Sequence, residues 1–342
     1  MKYSQLGNSG LIVPRLTIGT MLFGGEGDFF GLKYSITQDD ANKLVARALD
    51  AGINFFDTAN MYNNGRSEEM LARALGNRRA ESLISTKIGF RAGNAPSETG
   101  ISAKQIIEQC EKSLRRLGTD YIDVLLLHLE DPITPIDEIS RGLEILTMQG
   151  KIRYSGVSNF QAWKTGALAH VQLQWGRSPI ISAQMHYSLL NRSIEEEFIP
   201  MAQHYGIGLM VWSPLSSGFL TGKYTRENPN PDGARLNTFD LQLFDREKSY
   251  DVVDVVLRIA QKHQTSATAI ALAWLMTKPV CSTIIVGVSK MSQFADNLAA
   301  IDISLDEHDL EELETVSHVP QRYPTVFLGM ADAIYRKMIR FK

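Results

Sequence analysis

The amino-acid sequence predicts an α/β protein, a (β/α)8 TIM barrel with an N-terminal hairpin and long loop insertions at the barrel mouth. Short apolar segments alternate with helix-patterned segments, and eight of the apolar segments are each followed by a helix pattern. These strands are too apolar to face solvent on either side, which indicates a parallel sheet, and eight units favour a closed barrel. No GxGxxG motif follows a strand, so nothing supports a Rossmann domain.

Length, composition and charge limit the classes of protein and partner. We expect one domain, 1–342, because no segment has the composition of a domain linker. A net charge of -3, without long runs of one sign, gives no support for nucleic acid or a membrane as the partner. The N-terminus lacks the apolar core of a signal peptide, and no apolar run approaches about 18 residues. We therefore expect a cytoplasmic protein, and the distant cysteines Cys110 and Cys281 suit a reducing compartment.

The first half of the chain carries the hairpin and four strand–helix units. Residues 3–13 form the predicted hairpin because Gly7 to Gly10 is typical turn chemistry. Residues 102–117 are a predicted helix, with Ser102 as the N-cap and Gly118 just past its end. The strands of this half are predicted at 17–23, 53–56, 82–86 and 121–127, and the helices at 38–50, 67–75, 102–117 and 135–148.

The second half repeats the alternation and adds a long insertion. Residues 216–248, here called the mouth insertion, are polar and rich in Asn, Pro and Gly, and we interpret them as a lid over the barrel mouth. An acidic helix at 306–316 and a tail at 320–342 end the chain. The other predicted strands are 152–157, 180–184, 207–211 and 283–286, with helices within 161–175, at 194–205, 250–263 and 268–276, and near 292. Three tryptophans at helix spacing are expected in the core: Trp163, Trp175 and Trp274.

Ionisable side chains cluster where three consecutive strands end. Asp57 directly follows an apolar run, and Tyr62 comes five residues later. Lys87 and His128 follow the next two strands. The carboxyl ends of barrel strands share one rim, where catalytic groups gather. Each residue alone has a structural explanation, as a buried ion pair, a core histidine or a loop aromatic, but packing does not require all four together, and we interpret them as a catalytic site.

Several motifs in one order carry a resemblance to a known family. The chain resembles the aldo-keto reductases over most of its length, from Lys2 through Asn297. The branch that includes bacterial members and potassium-channel β subunits is the more similar one, because the aldose reductase branch carries a lysine and an arginine where this chain has Gly287 and Gln293. The motifs are Phe56 to Tyr62, Ser85-Thr86-Lys87, Leu127-His128, Gly19 to Gly25, Gly156 to Phe160, Trp212 to Leu215 and Leu220 to Tyr224.

The resemblance implies a barrel that uses NADPH to reduce carbonyl compounds reversibly. Hydride addition to a carbonyl builds negative charge on oxygen, so an acid must supply a proton. This assigns Tyr62 as the acid/base and Lys87 as the cation that lowers its pKa. Asp57 then holds the lysine, and His128 donates a hydrogen bond that places the carbonyl.

The resemblance also implies a set of cofactor contacts. Ser158, Asn159 and Gln184 are expected to bind the carboxamide, and Trp212 to stack on the nicotinamide ring. A basic residue of the mouth insertion, Arg235, is expected to reach the 2′-phosphate of NADPH. The expected cofactor-binding residues are Gly19, Thr20, Met21, Asp57, Ser158, Asn159, Gln184, Trp212, Ser213, Pro214, Leu215, Ser217, Gly218, Lys223, Arg235, Gly287, Ser289, Gln293, Asp296 and Asn297.

Three functions fit these residues. The first is NADPH-dependent reduction of a small or medium aldehyde or ketone. The second is a redox-sensing regulatory subunit that holds NADPH and turns over slowly, and the third is oxidation of an alcohol or a sugar hydroxyl. The choice of substrate lies in residues 24–36, 90–101 and 216–248 and in the tail, none of which carries a readable motif.

His186 fits both pocket lining and core packing, and no metal site is expected.

Overall fold

The fold is described by a computed structural model that covers residues 1–24, 28–29, 32–33, 36–90, 93, 95–237 and 240–338. Its strands are β1 (Tyr3–Gln5), β2 (Ile12–Pro14), β3 (Leu16–Gly19), β4 (Asp28–Phe29), β5 (Leu32–Lys33), β6 (Phe55–Asp57), β7 (Leu83–Ile88), β8 (Ile122–Leu127), β9 (Ile152–Ser158), β10 (Ile180–His186), β11 (Gly208–Trp212) and β12 (Cys281–Gly287). Its α-helices are α1 (Gln38–Asp50), α2 (Arg66–Leu75), α3 (Ala103–Leu117), α4 (Ile136–Met148), α5 (Ala162–Gln174), α6 (Phe198–Tyr205), α7 (Arg246–Lys262), α8 (Ala267–Met276), α9 (Met291–Ala299), α10 (Glu307–Val316) and α11 (Thr325–Met338).

Eight parallel strands close into a barrel in the order β10-β11-β12-β3-β6-β7-β8-β9. This confirms the predicted (β/α)8 TIM barrel. Strands β1 and β2 pair antiparallel and confirm the N-terminal hairpin. Strand β8 is buried along its whole length, as expected for a parallel strand with helices outside it and other side chains inside.

The strand register brings the ends of the barrel strands to one rim. Asp57 pairs with Gly19 on one side and with Ser85 on the other. On the opposite part of the barrel, Gln184 pairs with Ser158. The polar residues that the sequence places at strand ends therefore meet in space, although they are far apart in the chain.

The tryptophans show where helix spacing misled the prediction. Trp274 is fully buried in α8, as expected, and its Nε1 donates a hydrogen bond to Glu314 over 3.0 Å. The expectation was wrong for Trp163 and Trp175, which are 64% and 61% exposed. Trp163 lies on the face of α5 opposite its buried residues, and Trp175 follows the end of that helix.

None of the helices in the described part of the chain has the length and apolar composition that a membrane crossing requires.

Two element boundaries differ from the prediction for identifiable reasons. The first barrel strand ends at Gly19 instead of residue 23, because the Phe23 amide donates to the Thr20 carbonyl over 2.9 Å and closes a turn. Helix α6 begins at Phe198 instead of residue 194. The residues before it form a separate 3-10 turn, in which Glu195 pairs with Arg192 over 2.9 Å.

The mouth insertion packs against the barrel through an aromatic cluster. The ring of Phe219 lies 5.1 Å from that of Tyr224, 5.3 Å from that of Phe244 and 5.2 Å from that of Tyr250. Other described residues of the insertion line the barrel mouth. Both observations support the interpretation of this segment as a lid.

A buried ion pair beneath the mouth gives a stability prediction. Glu68 is fully buried, and its carboxylate accepts hydrogen bonds of 2.6 Å from Arg116 Nε and from the Thr86 hydroxyl. Glu68→Leu leaves the guanidinium without its carboxylate. Arg116 is 22% exposed, so its charge keeps part of its hydration. We expect the free energy of unfolding in urea to fall by about 1–3 kcal/mol, the cost of leaving a buried polar group without its partner.

The control for Glu68→Leu is Glu108→Leu. Glu108 pairs with Lys104 over 2.7 Å on the exposed surface of α3. Exposed pairs contribute little to stability, so this variant should unfold at nearly the wild-type urea concentration. Equal unfolding midpoints for the two variants would show that the Glu68 pair does not stabilise the fold.

Candidate active site

A large cleft opens at the carboxyl ends of the barrel strands. Its volume is about 1390 Å³, which exceeds the 300–1,000 Å³ typical of sites for one small molecule. The cleft therefore has room for a cofactor and a substrate together. The expected site residues on its wall are Tyr62, His128, Gly19, Met21, Asp57, Ser158, Asn159, Gln184, Trp212, Ser213, Pro214, Leu215, Ser217, Gly218, Lys223, Arg235, Gly287, Ser289, Gln293, Asp296 and Asn297.

Asp57 at the end of β6 holds Lys87 of β7. Lys87 Nζ donates hydrogen bonds to Asp57 Oδ2 over 2.7 Å and to the Thr58 carbonyl over 2.6 Å. Asp57 Oδ1 accepts from the Ser85 hydroxyl over 2.7 Å and from the Gln184 amide over 2.8 Å. Asp57 and Lys87 are both buried, and Lys87 lies behind the cleft wall. The ammonium group is therefore fixed in one place by acceptors of the protein.

Tyr62 lies beside the Lys87 ammonium and faces the cleft. Lys87 Nζ is 4.7 Å from the centre of the Tyr62 ring, so the ammonium charge lies close enough to act on the tyrosine. Tyr62 begins a tight turn in which Asn63 and Asn64 adopt positive φ angles of 46° and 53°. Asparagine tolerates this conformation better than most residues. The turn brings the tyrosine back from the end of β6 over the Asp57–Lys87 pair.

The environment sets the charges of this group. Burial raises the pKa of Tyr62 above its ordinary value, and the Lys87 cation opposes that effect. Burial lowers the pKa of Lys87, but the charges of Asp57 and Tyr62 and the hydrogen bonds to them outweigh it, and the pKa is raised. Lys87 does lower the Tyr62 pKa, as expected. The effect of burial is larger, so the pKa is raised overall. At neutral pH Tyr62 is protonated, as a proton donor must be.

His128 stands next to Tyr62 as an uncharged ring. The two ring centres are 6.0 Å apart, and Phe90 packs edge-on against the imidazole at 4.7 Å. Burial and then the Lys87 charge hold the pKa of His128 well below its ordinary value. Its Nδ1 has no hydrogen-bond partner among the described residues and is shut off from solvent. A neutral His128 can donate a hydrogen bond from one nitrogen without adding charge.

Four side chains at or next to the ends of β9, β10 and β11 form one amide-rich wall. Trp212 Nε1 donates to Asn159 Oδ1 over 3.1 Å, and Asn159 Nδ2 donates to the His128 carbonyl over 3.1 Å and to Ser158 Oγ. Gln184 uses its amide nitrogen on Asp57, which leaves its carbonyl oxygen for a ligand. This network orients the Trp212 ring and ties the wall to Asp57.

The loop after β11 is a tight turn with a cation beside it. Ser213, Ser216, Ser217 and Gly218 have positive φ angles of 49°, 48°, 57° and 90°. The loop satisfies its own amides, because the amides of Ser216 and Ser217 donate to the Ser213 carbonyl over 2.9 Å and to the Ser213 hydroxyl over 3.1 Å. Lys223 lies close to Gly218. A Cβ atom added to Gly218 would be only 3.2 Å from the Lys223 ammonium.

Two cations of the mouth insertion face each other in the cleft. Burial and then the charge of Arg235 lower the pKa of Lys223. Arg235 is close enough to Tyr62 for their charges to interact as well. This position lies on the Tyr62 side of the cleft. The assignment of Arg235 to the 2′-phosphate stays a prediction, and the nearness of Arg235 to Tyr62 favours a phosphate on that side instead.

The segment after β12 adds polar groups to the cleft wall. Gln293 Oε1 accepts from the Ser289 amide over 2.8 Å and from the Lys290 amide over 3.2 Å, and so it caps α9. The Gln293 amide nitrogen has no hydrogen-bond partner among the described residues. Lys290, which the sequence analysis did not include, also lines the cleft.

The structure separates Thr20 from the other expected cofactor residues. Thr20 is fully buried, and its hydroxyl lies 2.9 Å from that of Ser67, behind the wall. Sequence reasoning also missed apolar residues of the wall, since a lone methionine or phenylalanine in a loop carries no pattern. They are Leu22, Met61, Phe90, Leu241, Leu243 and Phe244.

Comparison with known proteins gives relatives over nearly the whole chain. The Aldo/keto reductase family matches residues 15–318. A putative voltage-gated potassium channel subunit beta of Schizosaccharomyces pombe is 36% identical over 326 residues, 92% of each chain. The uncharacterized oxidoreductase YrpG of Bacillus subtilis is 34% identical over 92% of this chain and 96% of its own. A putative aryl-alcohol dehydrogenase of Schizosaccharomyces pombe is 33% identical over 91% of this chain and 94% of its own.

Proposed function

This chain belongs to the aldo/keto reductase family, as its motifs led us to expect, and we propose that it reduces an aldehyde or ketone to the alcohol with NADPH. Family membership and the oxidoreductase relatives support carbonyl reduction in general. The observation that carries the proposal is the linked set of Asp57, Lys87 and Tyr62 beside a neutral His128 on the cleft wall. The same groups can run the reverse oxidation.

The donor set fits a nicotinamide dinucleotide. The amide-rich wall of Ser158, Asn159 and Gln184 suits a carboxamide, and the neighbouring Trp212 offers a flat ring to stack on. The neighbouring cations Lys223 and Arg235 on the cleft wall suit a pyrophosphate. When bound, the reduced nicotinamide supplies the hydride.

In this proposal the chain's own residues place the carbonyl and move one proton. Tyr62 Oη donates its proton to the carbonyl oxygen as negative charge develops there. Lys87, held by Asp57, stabilises the tyrosinate that remains. His128 donates a hydrogen bond to the same oxygen, and its neutrality avoids competition with Tyr62 for the role of acid.

Steady-state turnover tests the proposal. Purified protein is mixed with NADPH and a panel of aromatic aldehydes, ketoses and dicarbonyls, and NADPH oxidation is followed by absorbance. We expect turnover with at least one carbonyl class at the typical enzyme rate of about 1–10³ s⁻¹. Tight NADPH binding without turnover on any class would reject the reductase proposal.

Relatives named as potassium channel β subunits favour a second candidate, an NADPH-binding regulatory subunit. Such a subunit would oxidise its bound NADPH once and then release the oxidised cofactor slowly. A single-turnover experiment distinguishes the two candidates. A fast first turnover followed by a steady state more than about 100-fold slower would favour the regulatory subunit.

Cofactor preference gives a prediction with a matched pair of variants. Arg235 lies beside Lys223 and Tyr62, so we expect Arg235→Ala to weaken the binding of NADPH and NADH alike. The expected loss of binding free energy is about 1.5–3 kcal/mol, the size of one hydrogen bond to a charged group. Lys290 is a further cation on the cleft wall, in the segment after β12 next to Ser289. We assign the 2′-phosphate to it, so Lys290→Ala should weaken the binding of NADPH more than that of NADH.

Dissociation constants for both cofactors decide this prediction. They are measured by fluorescence titration for the wild type, Arg235→Ala and Lys290→Ala. Selective loss of NADPH in Arg235→Ala, with no change in Lys290→Ala, would instead place the 2′-phosphate at Arg235, as the family resemblance implied.

A further inference from the structure

His186 is a part of the cleft that the proposed mechanism does not use. It ends β10 two residues after Gln184, and alternate residues of a strand point to the same side. Its side chain therefore emerges on the side from which Gln184 reaches Asp57. The imidazole packs against Trp212, with ring centres 4.7 Å apart, and it lines the cleft.

Asn191 fixes the tautomer of this histidine. Asn191 Nδ2 lies 2.9 Å from His186 Nδ1 and also donates to the Leu243 carbonyl over 3.2 Å. Asn191 Oδ1 accepts from the amide and hydroxyl of Ser193. Because the amide oxygen is turned towards those donors, the amide nitrogen faces His186. Nδ1 is therefore the acceptor, and the neutral ring carries its proton on Nε2.

The Nε2–H group is free and accessible. It has no hydrogen-bond partner among the described residues. Unlike the unpartnered Nδ1 of His128, it is not shut off from solvent. The surface it reaches is the cleft that His186 lines. Burial lowers the pKa of His186 to about 4, so the ring is uncharged at neutral pH.

The surroundings select an uncharged acceptor. The groups in contact with the imidazole are uncharged, because Trp212 covers one side of the ring and the Asn191 amide occupies Nδ1. A charged oxygen placed there would lose hydration and gain only one neutral donor, which is unfavourable. A hydroxyl, ether or carbonyl oxygen would gain a hydrogen bond at little cost.

We propose that His186 determines substrate specificity by donating its Nε2–H to a second, uncharged oxygen atom of the substrate. The substrate class is a neutral aldehyde or ketone that carries an oxygen besides the reacting carbonyl. This inference rests on the proposed reductase function, in which Tyr62 and His128 bind the carbonyl oxygen. It adds the recognition of the rest of the molecule.

Isosteric aldehydes test the proposal. Tetrahydropyran-2-, -3- and -4-carbaldehyde each differ from cyclohexanecarbaldehyde by one ring oxygen in place of a methylene. The value of kcat/KM with NADPH is measured for all four in the wild type and in His186→Leu. The preference for each tetrahydropyran aldehyde is the ratio of its kcat/KM to that of cyclohexanecarbaldehyde. For at least one oxygen position, this ratio should be roughly 3- to 10-fold lower in His186→Leu than in the wild type, the size of one neutral hydrogen bond.

Two further variants separate hydrogen bonding from cleft shape. His186→Gln keeps an uncharged N–H donor and should restore part of the preference. Phe90→Leu changes the wall without removing a donor, and it should leave the preference unchanged even if both rates change. Equal preferences in the wild type and His186→Leu at every oxygen position would overturn the proposal.

Binding measurements separate this inference from the proposed function. Dissociation constants of the four aldehydes are measured by calorimetry in the presence of NADP⁺. The same 3- to 10-fold change in binding preference, with no turnover of these aldehydes or of the carbonyl panel, would support the role of His186 and reject the reductase. Turnover of the panel without binding or reaction of any of the four aldehydes would reject the role of His186 and leave the reductase in place.

Discussion

Tyr62→Phe should lower turnover by roughly 100- to 10,000-fold, the range for loss of a general acid. The substitution removes one hydroxyl from a ring whose position is set by the turn that follows β6 and by Lys87. Nothing else in the cleft needs to change. NADPH binding, measured by fluorescence titration, should therefore be nearly the same as in the wild type.

The control for Tyr62→Phe is Tyr3→Phe. Tyr3 lies on the exposed hairpin, and its hydroxyl donates to the Gly52 carbonyl over 3.0 Å, away from the cleft. This variant should keep wild-type turnover. If Tyr62→Phe retained more than a tenth of wild-type turnover, another group would have to be the proton donor.

Lys87→Met should have the second largest effect, a loss of turnover of roughly 100-fold or more. It should also move the pH profile of alcohol oxidation to higher pH. Oxidation needs Tyr62 deprotonated, so its rate rises as the pH passes the Tyr62 pKa. Lys87 lowers that pKa against the effect of burial, and its removal raises the pKa further.

A double variant separates catalysis from stability in this prediction. Lys87→Met alone leaves Asp57 buried without its cation, which destabilises the fold. Asp57→Asn combined with Lys87→Met removes both charges, so the free energy of unfolding should recover while turnover stays low. Recovery of turnover together with stability would make Lys87 a structural partner only.

The sequence was sufficient for the barrel because the signal is local. Each strand is a short apolar run, each helix has its own spacing, and caps such as Ser102 and Gly118 lie where the pattern ends. The meeting of the four candidate catalytic residues at one rim was predictable for a related reason. Residues at the ends of parallel strands must meet at one rim, so Asp57, Lys87 and His128 could be grouped without knowing the register.

Contacts between distant segments were not predictable in the same way. The hydrogen bond from Gln184 to Asp57 joins residues 127 positions apart and depends on barrel closure. The exposed Trp163 shows the same limit for helices, because spacing gives a helix face but not its partner. The net rise in the Tyr62 pKa also depends on burial, which the sequence does not give.

The mouth insertion carries the Lys223 and Arg235 cations, and it also holds the Leu243 carbonyl to which Asn191 is anchored. This one segment would therefore contact both the cofactor and the substrate. If it must move for either to leave, the lifetime of the cofactor complex and the rate of substrate entry are set by one opening motion. A substitution that loosens the Phe219 cluster would then shorten cofactor residence and speed exchange of substrate together.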